Sequence, residues 1–213
     1  MIALIDYNMG NLLSVSKALE SVGGDLRLVD RADDLKSFDA LVLPGVGNFG
    51  DGMEHLRSRG FEPAILEAIA AGKPVMGICL GMQMMLESSE EAPGVSGLGV
   101  FKGKVVRFPE CGEKVPHMGW NSVKKCTASP MMAGIPDDSY FYFVHSYYAA
   151  PENKACVVGS SDYIVDFAAI VGSKNVFATQ FHPEKSQKYG LKMLENFVMF
   201  ASSQKPSREG LQK

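Results

Sequence analysis

The sequence predicts an α/β protein: a mainly parallel central sheet flanked by helices, with an antiparallel β extension in the second half. Three observations point there. Short apolar runs alternate with segments of helical periodicity from Met1 to about Gln83. From Gly99 onward the pattern changes to β-type runs separated by Gly, Pro and Asp. Between these halves Gly77-Ile78-Cys79-Leu80-Gly81 has the form of a strand–turn–helix elbow, with glycine on both sides of a cysteine.

Ile2 to Ile5 is read as a strand. It stops at Asp6 and has no basic residues before it, so it is neither a signal peptide nor a membrane span. Leu12, Val15, Leu19 and Val22 recur at helical spacing, and Gly23-Gly24 closes that helix. Leu26 to Val29 resumes strand, a short helical piece covers Asp33 to Ser37, and Ala40 to Leu43 is the third strand. Helices are expected over Asp51 to Arg59 and Pro63 to Ala71, then a strand Pro74 to Met76 entering the elbow, and a helix leaving it near Met82. The β half is expected at Val100 to Phe108, Asn121 to Val123, Tyr140 to Val144, Ala155 to Val158, Phe167 to Val171 and Val176 to Gln180. A final helix, Ser186 to about Ser202, shows Leu191, Leu194 and Val198 on one face. There is no internal repeat and no linker, so one domain is expected over residues 1–202, with a polar, proline-broken tail at 203–213 expected to fray.

Composition restricts function without naming it. A chain of 213 residues is long enough for a full core, and its net charge of −3 with Lys and Arg spread along it argues against a polyanion-binding surface. Nucleic acid is therefore not an expected partner, and neither is a membrane. Cys79, Cys111, Cys126 and Cys156 show no C-x-x-C pair, and read as reduced thiols of a cytoplasmic protein with no metal site and no cofactor.

Chemistry concentrates in three motifs. A tight turn at Cys79 pushes its thiol out of the backbone, and a helix starting behind it favours a thiolate. The competing reading is a buried core cysteine. Far downstream, Gln180-Phe181-His182-Pro183-Glu184-Lys185-Ser186 supplies an imidazole and a carboxylate two residues apart. In an extended segment such side chains point the same way, so His182 can take and return a proton while Glu184 orients it. Read alone, His182 could be a satisfied strand-end histidine, but beside Cys79 that reading weakens. The third motif is the loop Leu43 to Gly52. Gly45, Gly47 and Gly50 match a dinucleotide-binding pattern. The loop, however, follows the third strand, contains Pro44, and lacks an acidic strand end about twenty residues on. We read it instead as an oxyanion hole, with N–H groups of Gly45, Val46 and Gly47 helped by that of Leu80.

With these residues in view, the chain resembles the class I, triad-type glutamine amidotransferases, and implies their fold. Pro44-Gly45-Val46-Gly47, Gly77 to Gln83, Pro116-His117-Met118-Gly119-Trp120-Asn121, Phe143-Val144-His145-Ser146-Tyr147 and Phe181 to Ser186 together resemble the glutaminase subunits of imidazole glycerol phosphate synthases, from Met1 to about Ala201. No catalytic position departs from the pattern.

The resemblance implies hydrolysis of glutamine to glutamate and ammonia through Cys79, His182 and Glu184, with Gln83, Ser146 and Tyr147 holding the glutamine. It also implies a heterodimer with a (β/α)8-barrel cyclase subunit that uses the ammonia, docked against Lys185, Tyr142, Asn11, His117 and Trp120. Plainer readings stand beside these. Lys185 could be a solvated lysine, Gln83 a solvated helix residue, and Trp120 a packing residue. A relative feeding a sugar-nucleotide amidotransferase, or a stand-alone γ-glutamyl hydrolase, would use the same triad. A purely binding role would need a broken catalytic residue, and none is broken.

Overall fold

A computed structural model of the chain describes residues 1–204. The expected tail lies outside the described residues from position 205 on. In chain order the elements are β1 (Ile2–Ile5), α1 (Leu12–Ser21), β2 (Leu26–Val29), a 3-10 turn, β3 (Ala40–Leu43), α2 (Phe49–Ser58), α3 (Phe61–Ala70), β4 (Val75–Ile78) and α4 (Leu80–Met84). There follow β5 (Ser88–Ser89), β6 (Gly103–Arg107), β7 (His117–Lys125), β8 (Ser139–His145), β9 (Tyr147–Pro151), β10 (Val157–Tyr163), β11 (Val165–Ser173), β12 (Val176–Thr179) and α5 (Gln187–Ser203).

The parallel half has the order β2-β1-β3-β4, and β12 joins it parallel to β4, with Thr179 opposite Ile78. Beyond β12 the sheet continues antiparallel through β11, β10, β7 and β8. β9 pairs antiparallel with β6 and touches β11. β1, β3 and β4 are buried along their whole length, which is why they read as unbroken apolar runs. Their side chains alternate between two cores. Ile2 and Leu4 pack with Val15, Ala18 and Leu19 of α1 and with Met193, Leu194, Phe197 and Ala201 of α5. Ala3 and Ile5 pack with Phe49, Met53 and Leu56 of α2 and with Phe61 and Ile65 of α3. Each such large side chain contributes about 1.5–3 kcal/mol by leaving water.

Several boundaries differ from the sequence reading, each for a local reason. α2 begins at Phe49, because Asn48 Oδ1 accepts from Gly50 and Asp51 N–H and caps the helix there. α4 begins directly at Leu80 and is a single short turn of five residues, so the helix behind Cys79 is weaker than expected. Positions 100–102 are bend, leaving only Gly103–Arg107 as strand. β9 was not anticipated: the chain changes sheet partner at Ser146 without any Gly or Pro to announce it. β10 and β11 form a longer hairpin than expected, turning at Ile164 with φ 62°. A β-branched residue is rarely found there, so the turn is invisible to residue preferences. The buried stripe of α5 is Gly190, Met193, Leu194, Phe197 and Ala201, with Leu191 and Val198 only partly buried at its margin.

Candidate active site

Three adjacent parallel strands deliver the reactive segments to one edge of the sheet. β3 runs into the glycine loop, β4 into Cys79, and β12 into Gln180-Phe181-His182. Ligand sites in such sheets gather at the carboxyl ends of strands. Cys79 N–H donates to Thr179 C=O at 2.7 Å, tying the nucleophile's backbone to the strand that leads to His182. Cys79 itself has φ 54° and ψ −108°, a conformation costing on the order of 1–3 kcal/mol for a residue with a Cβ. The turn tolerates it because its glycines let α4 lie against the sheet: a Cβ on Gly77 would come within 2.9 Å of Gly81 O.

His182 and Glu184 meet through a 3-10 turn, Pro183–Lys185, and not along an extended strand as the spacing suggested. Nδ1 of His182 lies 2.8 Å from Glu184 Oε1, with both side chains almost wholly buried. Three main-chain contacts hold the turn. His182 N–H donates to Tyr142 C=O at 3.0 Å, Ser186 Oγ donates to His182 C=O at 2.6 Å, and Tyr142 N–H donates to Ser186 Oγ at 2.9 Å. His182 Nε2 is buried without a hydrogen-bond partner in ordinary reach. Cys79 and His182 line one cavity of about 300 Å³, with Val46, Gly47, Leu80 and Gln83. Burial pulls the His182 pKa down, but hydrogen bonding and charge from Cys79 and then Glu184 outweigh it and raise it to about 9. Beside an anionic sulfur the imidazolium is thus favoured, and it carries the proton that a leaving amine needs.

The loop after β3 departs from the expected oxyanion hole. Leu80 N–H, expected to face a substrate oxygen, instead donates to Gly45 C=O at 3.3 Å. A helix-start N–H takes the nearest carbonyl, and the loop brings one to it. Gly45 is buried against Tyr7 and Leu80, where a Cβ would lie 2.5 Å from Tyr7 Oη. Tyr7 Oη in turn donates to Pro44 C=O at 2.8 Å, and burial, then the neighbouring Cys79, push its phenol pKa up so that it remains a donor. Val46 and Gly47 are exposed at the cavity mouth.

The residues assigned to glutamine by resemblance also converge. Gln83 is buried and donates through Nε2 to Tyr147 C=O at 2.9 Å, so it is not a solvated helix residue. Ser146 and Tyr147 line the same cavity, as do His145 and Glu91, to which the sequence reading gave no role. His145 reaches the site from the end of β8, and Glu91 from the turn that follows β5.

Of the five residues expected at an interface, Asn11 and Lys185 are exposed, Tyr142 is half-buried, and Trp120 is 46% exposed. His117 is corrected: it is only 4% exposed. Alternation along β7 turns Met118 and Trp120 outward and His117 inward, where it stacks between Phe143 and Tyr163 at 4.9 and 4.0 Å. There it forms a directed chain. Tyr147 C=O can only accept, so His145 Nδ1 carries the hydrogen at 2.9 Å. His145 Nε2 then accepts from His117 Nδ1 at 3.0 Å, and His117 Nε2 accepts from Asn121 Nδ2 at 3.3 Å. Each ring nitrogen is used, with both rings neutral.

Protonating either ring would set two N–H groups face to face. Burial lowers the pKa of His117 to about 4 and, first among its causes, that of His145 to about 3. An unfolded chain takes up these protons near pH 6.5 and the folded one does not, so stability is present above 6.5 and is lost as pH falls toward 4 and 3. The thermal midpoint is expected to drop across that window, and His117→Gln with His145→Gln to flatten the drop. A parent midpoint unchanged by pH there would contradict the neutral pair.

Known proteins resemble this chain over nearly all of its length. A family model described as glutamine amidotransferase class-I matches residues 3–201. The chain is 50% identical over 201 residues to imidazole glycerol phosphate synthase subunit HisH 1 of Methanococcus maripaludis, covering 93% of this chain and 98% of that one. It is 48% identical over 197 residues to the HisH subunit of Desulfitobacterium hafniense, covering 92% and 93%. Among solved structures it resembles a glutamine amidotransferase with TM-score 0.75 at 18% identity, covering 95% of this chain and 100% of that one.

Proposed function

Because the chain belongs to the class I glutamine amidotransferase family, we propose that it is the glutaminase subunit of an imidazole glycerol phosphate synthase, acting in histidine biosynthesis. Cys79 sulfur attacks the side-chain amide carbon of glutamine, the C–N bond breaks, and His182, oriented by Glu184, gives its proton to the departing ammonia. Water then adds to the thioester carbon, releasing glutamate and regenerating the thiol. Donors at Gly45, Val46, Gly47 and Leu80 hold the oxyanion, which requires Gly45 C=O to release the Leu80 N–H first. Gln83, Ser146 and Tyr147 hold the glutamine.

The observation that supports this reading most is the shared cavity of Cys79 and His182, with the otherwise unbonded His182 Nε2 beside the sulfur. Ammonia is useful only if an acceptor is close. We take that acceptor site to lie on a cyclase subunit of (β/α)8-barrel type, which uses ammonia to form imidazole glycerol phosphate and an aminoimidazole carboxamide ribotide. Met118 at 63%, Trp120 at 46% and Tyr140 at 59% exposure make an apolar surface on β7 and β8, near Tyr142 and Lys185, suited to that docking. Four free thiols suit a cytoplasmic enzyme. Among the described residues, no helix is long and apolar enough to cross a membrane.

Co-purification with the cyclase candidate, followed by glutamate release with and without its nucleotide ligand, tests the proposal. Stimulation by at least about tenfold is expected if the acceptor site signals to the oxyanion loop, since one such donor alone is worth roughly a hundredfold. A flat response would favour a sugar-nucleotide acceptor or an independent γ-glutamyl hydrolase.

A further inference from the structure

One buried side chain without a role in this mechanism points at the sulfur. Gln180 is 0% exposed, and its Nε2 lies 3.8 Å from Cys79 Sγ. The orientation of that amide is set by a main-chain atom. Tyr147 C=O only accepts, so Gln83 presents its NH₂ there. The same Gln83 Nε2 reaches the Gln180 side chain at 3.2 Å, and only Gln180 Oε1 can receive it. Gln180 must therefore turn its own NH₂ toward Cys79, leaving sulfur as the acceptor.

We propose that Gln180 is a positioning residue for the glutaminase reaction, holding the Cys79 sulfur on the cavity side of the elbow by a hydrogen bond that strengthens as the sulfur becomes anionic. This rests on Cys79 being the nucleophile. The placement follows from the sheet: Gln180 immediately follows β12, beside the end of β4, and its own N–H is anchored on Ala169 C=O at 2.9 Å. A donor fixed at both backbone and side chain restricts the sulfur without rearranging, which is the property that makes a buried dipole effective in catalysis. The amide series from Cys79 through Gln180 and Gln83 to Tyr147 C=O also keeps the sulfur in register with the segment proposed to hold glutamine.

The test uses the full chain and a glutamine-shaped chloromethyl ketone. The thiolate sulfur forms a C–S bond to the methylene carbon as the C–Cl bond breaks and chloride leaves. Peptide mass mapping distinguishes Cys79 from the exposed Cys111 and Cys126. Gln180→Met keeps the volume and removes the donor. Gln180→Glu keeps an acceptor for Gln83 but sets a carboxylate against the sulfur. The limiting alkylation rate at Cys79 is expected to fall about tenfold in the first variant and further in the second, as loss of a hydrogen bond to a charged group implies. The half-saturating concentration is expected to stay within about twofold, the signature of an interaction made in the reacting state. An unchanged limiting rate in Gln180→Glu would overturn the proposal. So would a raised half-saturating concentration at unchanged limiting rate, which would place Gln180 in the ligand pocket alone. Loss of a cooperative thermal transition in both variants would overturn it as well, making Gln180 a packing residue. A parent chain unlabelled at Cys79 would instead remove the nucleophile assignment beneath it.

Discussion

Replacing Cys79 by alanine is expected to abolish glutamate release, lowering the rate by a factor on the order of 10⁴ to 10⁶, as removal of a nucleophile does in comparable triads. The reasoning is local. Among the described residues Cys79 is the thiol at the strained elbow in the cavity shared with His182, and without its sulfur no thioester forms, so the proton on His182 has no departing ammonia to go to. Alanine keeps a Cβ at φ 54°, so the backbone strain persists and the fold should barely respond. Cys79→Gly is the informative companion: it should be equally inactive yet more stable by about 1 kcal/mol, since glycine meets no penalty at positive φ. Glutamate assays with thermal midpoints and partner binding decide this. Turnover surviving in Cys79→Ala would refute the nucleophile, and equal stability of the two variants would refute the strain.

The parts of this site readable from the sequence are those whose geometry is local. The elbow is a five-residue pattern, and the His182–Glu184 pair sits within one turn, so both were visible even though the turn proved to be 3-10 instead of extended. The alternation of apolar runs and helical periodicity was likewise enough for the parallel half. What escaped depends on contacts between distant segments. Gln180 lies in a motif chosen for its neighbour His182, but its partner Gln83 is 97 positions away, and nothing in either segment reveals the contact. His117 is placed at the interface by resemblance alone, which carries no information about which face of a strand it occupies. Strand parity, which the reading had not extended back from Asn121, turns it inward onto His145. The Gly45 carbonyl on Leu80 is a backbone orientation, and residue types do not encode it. The two motif glycines were read as permitting a tight turn. Their structural reason is space.

That distinction yields the largest expected effect on the fold. Gly81 lies in the first turn of α4 and has no positive φ, so helix propensity alone would make Gly81→Ala stabilising by about 1 kcal/mol. An alanine Cβ there would lie 2.0 Å from Leu43 C=O and 3.0 Å from the carbon of that carbonyl. Atoms so placed must part by more than an ångström, and the obstacle is backbone at the end of β3, not a flexible side chain. Overpacking of this kind costs about 3 kcal/mol or more, which exceeds the propensity gain. For a chain of this length the thermal midpoint should fall by roughly 6–12 °C. Leu43 directly precedes Pro44 and Gly45, so the same displacement separates the glycine loop from the elbow. A shift near 1 Å in a reacting group can cost about a hundredfold in rate. The variant should therefore lose activity even at temperatures where it remains folded. A Gly81→Ala protein that melts at or above the parent temperature and turns over glutamine normally would show that α4 can slide on β3, and that the close approach of the elbow to the loop is not what positions Cys79.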